Sequence, residues 1–311
     1  MTWEQLIKKG LVKRASELTT LKRLPSHNIS VDYVLGGGWV FGGIHLLSGI
    51  EGVGKSSLAM SVCQRLQQDY PDALTLVVDL ERAWFIERLM EWNLDLNRIN
   101  LARPSTLEEA YDLILSGMEH CALVVVDSVG AIAGMAEADT SVKERQYAVG
   151  VRELNAFLRR MVSILNRLPN PPIILLLSQV RAVIGHPGND YAPLGGHGLR
   201  HYAHIWLEMR HRGRLMIETA KGEDKEVVGF LLSITSRKNK TAPSHRTAEA
   251  VLLIKPFKTL KPPAWDYYFD LLTWGLRVGV IRQSGSWFEV PEIGLRWQGK
   301  EQIYNCLLYT S

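Results

Sequence analysis

The sequence predicts an α/β protein whose mostly parallel sheet carries helices on both faces. Three observations lead to that expectation. Continuous apolar runs of strand length recur at 44–48, 74–78, 122–126 and 173–178. Helical stretches near 55–68, 84–92, 106–117 and 143–168 lie between them, and strands apolar on both faces that alternate with helices form sheets covered on both sides. A glycine-rich loop, 49–54, joins the first run to the first helix, a junction suited to holding anions.

Composition narrows the classes. Of 311 residues, 46% are apolar and 22% charged, the balance of a folded chain and enough for one continuous α/β core. No apolar run approaches the ~18–20 residues of a membrane span, so no membrane partner is expected. The N-terminus has no apolar secretory stretch. Cys63, Cys121 and Cys306 are far apart with no CxxC pair, which supports neither a disulfide framework nor a zinc site. A cytoplasmic protein is expected. The net charge of +4 permits nucleic acid as a partner without arguing for it.

In chain order, residues 1–28 are basic and mixed, with apolar spacing that fits a short amphipathic helix and a linker. Too small to bury a core, the segment packs either on the next domain or on a neighbouring subunit; the second makes it an oligomerisation segment. Residues 29–264 are the expected core. Glycines 36–38 and 42–43 flank Trp39–Phe41 as a turn-rich entry to the first strand. Polar strand candidates at 203–210, 214–220, 228–236 and 248–254 extend the sheet with antiparallel or mixed edges. Residues 265–311 form a small C-terminal unit.

Gly49-Ile50-Glu51-Gly52-Val53-Gly54-Lys55-Ser56 is a complete GxxxxGK[ST] phosphate loop in strand–helix context. Gly49, Gly52 and Gly54 let backbone N–H groups turn around phosphates, and the helix N-terminus adds positive dipole. Lys55 is expected at the terminal phosphates of a nucleotide, Ser56 on Mg²⁺, and Ser57 in the same nucleotide-binding set. A chance glycine-rich turn is the bland alternative. Asp127 ends the run 122–126, where a second, metal-supporting carboxylate belongs; alone it could be a helix cap. Glu81, just past the run 74–78, is expected to polarise the attacking water. Gln179 ends the strand 173–177 and precedes a long loop, a position from which an amide could sense a γ-phosphate.

Residues 180–202 contain five glycines and two prolines with almost no periodicity, and so long a loop in a compact domain usually binds something. Arg181, Arg200, His197 and His201 offer donors to phosphate, with Ile184 and Tyr191 for bases. This pattern gives affinity for a backbone without sequence readout. The histidines 197, 201, 204 and 211 lack the Cys or HxxxH-plus-acid context of a metal site. A second loop, 134–146, leads into a helix carrying Arg152, Arg159 and Arg160, for which a solvated face explains the charge equally well.

Taken together these residues resemble the RecA recombinases of bacteria and their phage relatives. Glu51 stands where the family's loop carries glutamate. Asp79-Leu80-Glu81 is similar to its Asp-Ala-Glu, Val124–Ser128 to its VVDS strand, and Gln179-Val180-Arg181 to its NQIR segment. Gly195-Gly196-His197-Gly198-Leu199-Arg200-His201-Tyr202-Ala203 is similar to GGNALKFYA, which ends the second DNA-binding loop. Lys238-Asn239-Lys240 with Ala242-Pro243 resembles KNKxAxP, whose lysines reach ATP on the adjacent protomer. The likeness runs from about 30 to 300. Ser178 replaces the usual Asn, Arg88 stands where the family stacks a tyrosine on adenine, and the first DNA loop and C-terminal domain look reduced.

The resemblance implies an ATP- and Mg²⁺-dependent recombinase of the bacterial cytoplasm, and the departures favour a phage or divergent member. Its protomers would form a helical filament on single-stranded DNA, pair it with homologous double-stranded DNA and exchange strands. It carries catalytic roles to Glu81, Lys55, Gln179, Lys238 and Lys240, nucleotide contact to Arg88, and DNA contact to Arg152, Arg181, Gly195, Gly196, His197 and Arg200. An accessory paralogue binding ATP and DNA without exchange, or a hexameric helicase-type ATPase, would share the phosphate loop.

Overall fold

A computed structural model describes residues 2–8, 20–132, 143–182, 191–193, 196–218, 225–256, 260–261, 263–300 and 302–303. At the N-terminus, α1 (Trp3–Lys8) is the short helix expected there. Strand β1 (Arg23–Leu24) pairs antiparallel with β2 (Trp39–Val40), and α2 (Ile29–Leu35) lies between them. Asn28 caps α2 through its side chain, and Gly36 ends it in the left-handed region.

The main sheet is ten-stranded. Its parallel strands are β3 (Ile44–Gly49), β4 (Thr75–Asp79), β5 (Ile99–Ala102), β6 (Leu123–Asp127) and β7 (Ile173–Ala182). Between them run α3 (Lys55–Asp69), α4 (Ile86–Glu91), α5 (Leu107–His120) and α6 (Lys143–Leu165). Every residue of β3, β4 and β6 is buried. Alternate residues of β6 feed opposite cores, Leu123 and Val125 on one face and Val124 and Val126 on the other. That is why these strands read as unbroken apolar runs. The sheet continues through β9 (Ile205–Glu218), parallel to β3, then β10 (Lys225–Asn239), β11 (Thr247–Leu253) and β12 (Ala264–Trp265), each antiparallel to its predecessor.

Three expectations need correction. The two polar strands at 203–210 and 214–220 are one strand, β9, running through Gly213, where a Cβ would meet nothing within 4 Å. The edge strand β5 was not anticipated, because its residues are only half-buried or exposed. Nor is 180–202 irregular throughout. β7 continues to Ala182 and pairs with β8 (Tyr191–Pro193), and α7 (Gly196–Tyr202) closes the segment by packing Leu199 into the core. Gly198 permits that packing, since a Cβ there would overlap the Asn155 side chain of α6. Gln179 therefore lies within β7 rather than at its end. Most of 134–146, together with Ile184, lies outside the described residues.

In the C-terminal unit α8 (Tyr267–Val278) is followed by a three-stranded antiparallel sheet of β13 (Arg282–Ser284), β14 (Trp287–Val290) and β15 (Leu295–Gln298). Among the described residues no helix is long and apolar enough to cross a membrane. Helix α8 is fastened to α2: Asp270 accepts from the Ser30 N–H at 3.2 Å and its hydroxyl at 2.9 Å. Burial nevertheless pushes the Asp270 carboxyl up to about 6 from an ordinary 3.8. The folded chain thus holds this proton where the unfolded chain has released it, so stability from this group falls as pH rises from about 4 to 6. Urea unfolding should show the parent losing stability relative to Asp270→Asn across that window, by at most about 3 kcal/mol. An identical difference at pH 4 and pH 7 would refute the assignment.

Candidate functional site

Parallel register places the phosphate loop, Asp79, Asp127 and Gln179 toward the carboxyl ends of the parallel strands. Gly49 lies beside Gln179, and Asp79 beside Asp127; in open α/β sheets the carboxyl ends of the strands are where ligands bind. Two loop glycines have specific reasons. A Cβ on Gly49 would come within 2.7 Å of the Met209 carbonyl, and Gly54, at φ +92°, opens α3 from a conformation disfavoured for other residues.

Lys55 is 8% exposed, and its Nζ donates to the carbonyls of Gly49 at 3.0 Å and Ile50 at 2.9 Å. Burial pulls its pKa down, opposed by the carboxylates of Asp127, Glu81 and Glu51. Ser56 Oγ donates to Asp127 Oδ2 at 2.8 Å. Burial raises the Asp127 pKa, while hydrogen bonds from Ser56 and Trp84 lower it. A hydroxyl against a buried carboxylate, next to a lysine that opens a helix, suits an Mg²⁺–triphosphate: cation on the oxygens, anion on the lysine and helix N-terminus.

Glu81 accepts from the Ser128 hydroxyl and from Gln179 Nε2, at 3.2 and 3.4 Å to its two oxygens. Arg88 Nη2 donates to Ser57 Oγ at 3.1 Å. A cavity of about 270 Å³ is lined by Ser57, Glu81, Arg88 and Gln179 together with Glu51, Gly52, Gly54, Lys55, Ser56 and Asp127. Beyond Arg88 a further cavity of about 230 Å³ continues along Trp92, Leu252 and Pro263. The predicted nucleotide residues therefore converge in three dimensions.

The support behind them was not anticipated. Asp79, buried at the end of β4, accepts from the N–H groups of Ala83 at 2.8 Å and Trp84 at 3.3 Å, and from Arg103 Nε at 3.1 Å. Leu80 and Glu81 donate their N–H groups to the Asp127 carbonyl, at 2.7 and 3.2 Å. Glu81 is thus aimed from both sides. An aspartate two residues before Glu81 at a strand end was a usable signal; Trp84 and Arg103 offered none.

Lys238 and Lys240 lie elsewhere. Lys238 pairs across the sheet with Trp206, which neighbours Leu46 of β3. Lys238 is therefore level with the middle of β3, and Lys240, whose N–H bonds the His204 carbonyl beside Ile44, lies toward the end away from the phosphate loop. Lys238 Nζ donates to the carbonyls of Arg200 and His201, each at 2.7 Å, at the C-terminal end of α7. Asn239 holds the turn: its Oδ1 accepts from Thr241 and Ala242 N–H groups, and its Nδ2 reaches the Leu35 carbonyl at 2.9 Å. The turn sits so tightly on α2 that a Cβ at Gly36 would meet Ala242 at 2.3 Å.

Arg152 and His201 line a separate open groove of about 860 Å³ between α6 and α7. Arg200 sits 5.9 Å from the Trp206 ring centre, and Gly196 begins α7. Gly195 and the side chains of Arg181, Tyr191 and His197 lie outside the described residues.

The family model of the RecA N-terminal domain matches residues 4–256. The chain is 27% identical over 310 residues to Protein RecA of Nautilia profundicola, covering 98% of this chain and 83% of that protein. Against Protein RecA of Thermus aquaticus it is 28% identical over 312 residues, 98% of this chain and 87% of that one. Against Protein RecA of Cutibacterium acnes the figures are 29% over 307 residues, 96% and 82%.

Proposed function

From the premise that the chain belongs to the RecA-type recombinase family, a family of ATPases acting on DNA, we propose that it is a filament-forming recombinase. It would assemble on single-stranded DNA with ATP bound, pair that strand with a homologous duplex, exchange strands, and let go on hydrolysis. The observation that carries this reading is the Glu81–Gln179 contact, which joins a hydrolytic carboxylate to the strand that leads into 180–202.

In this reading Lys55 and the loop N–H groups hold the phosphates, while Ser56 and Asp127 hold Mg²⁺. The cation neutralises charge on the phosphates when bound. Glu81 takes the proton as water attacks the γ-phosphorus, and the bond to the β–γ bridging oxygen breaks to leave ADP and phosphate. Ser128 and Gln179 keep Glu81 pointed at that water. Arg88, bonded to Ser57, stands at the entrance to the cavity that would take the base. Residues 1–28 would dock on a neighbouring protomer, 29–264 would be the ATPase and DNA-binding core, and 265–311 a small accessory unit.

DNA would lie along 180–202 and α6, with Arg152, Arg181, His197 and Arg200 on the phosphates and Gly195 and Gly196 giving close approach. Gln179→Ala should keep ATP binding and lose much of the ATP-dependent gain in DNA affinity, whereas Arg200→Ala should weaken DNA binding in every nucleotide state. Fluorescence anisotropy of labelled single-stranded DNA, with and without a non-hydrolysable ATP analogue, reads both. An unchanged ratio between nucleotide conditions in Gln179→Ala would sink the coupling. Strand exchange between a circular single strand and its homologous linear duplex tests the whole reading, which fails if joint molecules do not form with ATP.

A further inference from the structure

We propose that Trp84 is a positioning residue for Asp127, holding the metal-side carboxylate through its indole N–H. The inference rests on the reading of this cavity as an Mg²⁺–nucleotide site and adds a residue to it. Trp84 has no solvent exposure, and its Nε1 donates to Asp127 Oδ2 at 2.9 Å. Ser56 Oγ donates to the same oxygen at 2.8 Å. One oxygen of Asp127 is therefore held by two neutral donors arriving from different elements, which fixes the carboxylate against rotation.

The indole is itself held from behind. The Trp84 backbone N–H donates to Asp79 Oδ2 at 3.3 Å, and its backbone carbonyl accepts from Arg103 Nη2 at 3.0 Å. Arg103 Nε closes the loop on Asp79 at 3.1 Å. The chain of contacts runs Arg103–Asp79–Trp84–Asp127–Ser56 and spans the residue after β5, the end of β4, the turn after it, the end of β6 and the start of α3. Packing alone would be served by any large apolar ring in this place. The N–H aimed at a carboxylate is the feature that packing does not require, since a buried indole can bond a neutral carbonyl as well. Partners that hold a ligand from behind tune metal affinity by about 10–100-fold.

The test is Trp84→Phe in the full chain, which keeps a ring and removes the donor. A fluorescent ATP analogue is titrated in EDTA and across a series of Mg²⁺ concentrations. The Mg²⁺ needed for half-maximal tight binding should rise about tenfold, while affinity in EDTA stays within about twofold of the parent. An unchanged Mg²⁺ requirement overturns the proposal. Equal losses in EDTA and in Mg²⁺ overturn it too, because they mark a purely structural role. If the variant does not fold, ¹⁵N spectra of the parent's nine tryptophan indoles decide. An indole signal should move when Mg²⁺ is added to the nucleotide complex, and if none moves the proposal fails. A parent that binds no nucleotide in any condition would instead overturn the site reading itself.

Discussion

Glu81→Gln should leave ATP bound and cut its turnover by roughly 10²–10⁴-fold, the scale for losing a general base. Glutamine keeps the shape of Glu81 and an oxygen to accept from Ser128, so the pocket is preserved while the group that takes the proton is gone. Filaments of this variant should therefore persist where the parent's disassemble. Lys55→Ala should fail in a different way. Lys55 is the buried cation of the phosphate loop, so its loss should weaken ATP binding and, through it, assembly. DNA-stimulated phosphate release alongside nucleotide binding separates the two. Hydrolysis by Glu81→Gln at the parental rate in the presence of DNA would show that another group is the base.

The second large effect concerns Lys238 and Lys240, which should act on the nucleotide of a neighbouring protomer. They lie outside the cavity of the phosphate loop, and Lys238 is turned toward the end of α7 instead. A pair of cations presented there would neutralise charge on an adjacent γ-phosphate, as an arginine finger does. Lys55→Ala and the double variant Lys238→Ala/Lys240→Ala should each be inactive alone. Mixed, they should recover part of the ATPase rate, because some seams then join an intact loop to an intact lysine pair. With co-assembly shown separately, no recovery at any mixing ratio would rule out the trans arrangement.

What was legible in the sequence was local. The phosphate loop spans eight consecutive residues whose spacing is itself the signal, and Asp127 could be read because it ends a run buried on both faces. The Trp84–Asp127 bond joins residues 43 apart and Arg103–Asp79 joins residues 24 apart; no periodicity reports such pairs. Helix α7 was hidden for another reason. Its glycines read as loop, yet Gly198 is there for close packing on α6, and Leu199 supplies the burial that stabilises the helix. The joined strand β9 was misread because much of it beyond its pairing with β3 is exposed, so polar residues and Gly213 looked like a break.

Lys238 sits between these two cases. The KNK triplet was visible, but the bond of Lys238 to the end of α7 was not, and that bond ties this lysine to the segment proposed to bind DNA. Asn239, flanked by the two lysines, explains the triplet's middle residue: with its side chain satisfied on both ends, it fixes the turn that presents them.

In the proposed function, ATP joins protomers of this chain into an open helix on single-stranded DNA. Electron microscopy of the protein with single-stranded DNA, Mg²⁺ and a non-hydrolysable ATP analogue tests it most directly. Continuous helical filaments should appear, should need both nucleotide and DNA, and should be absent for Lys55→Ala. Closed six-membered rings, or DNA coated by unconnected protomers, would contradict it.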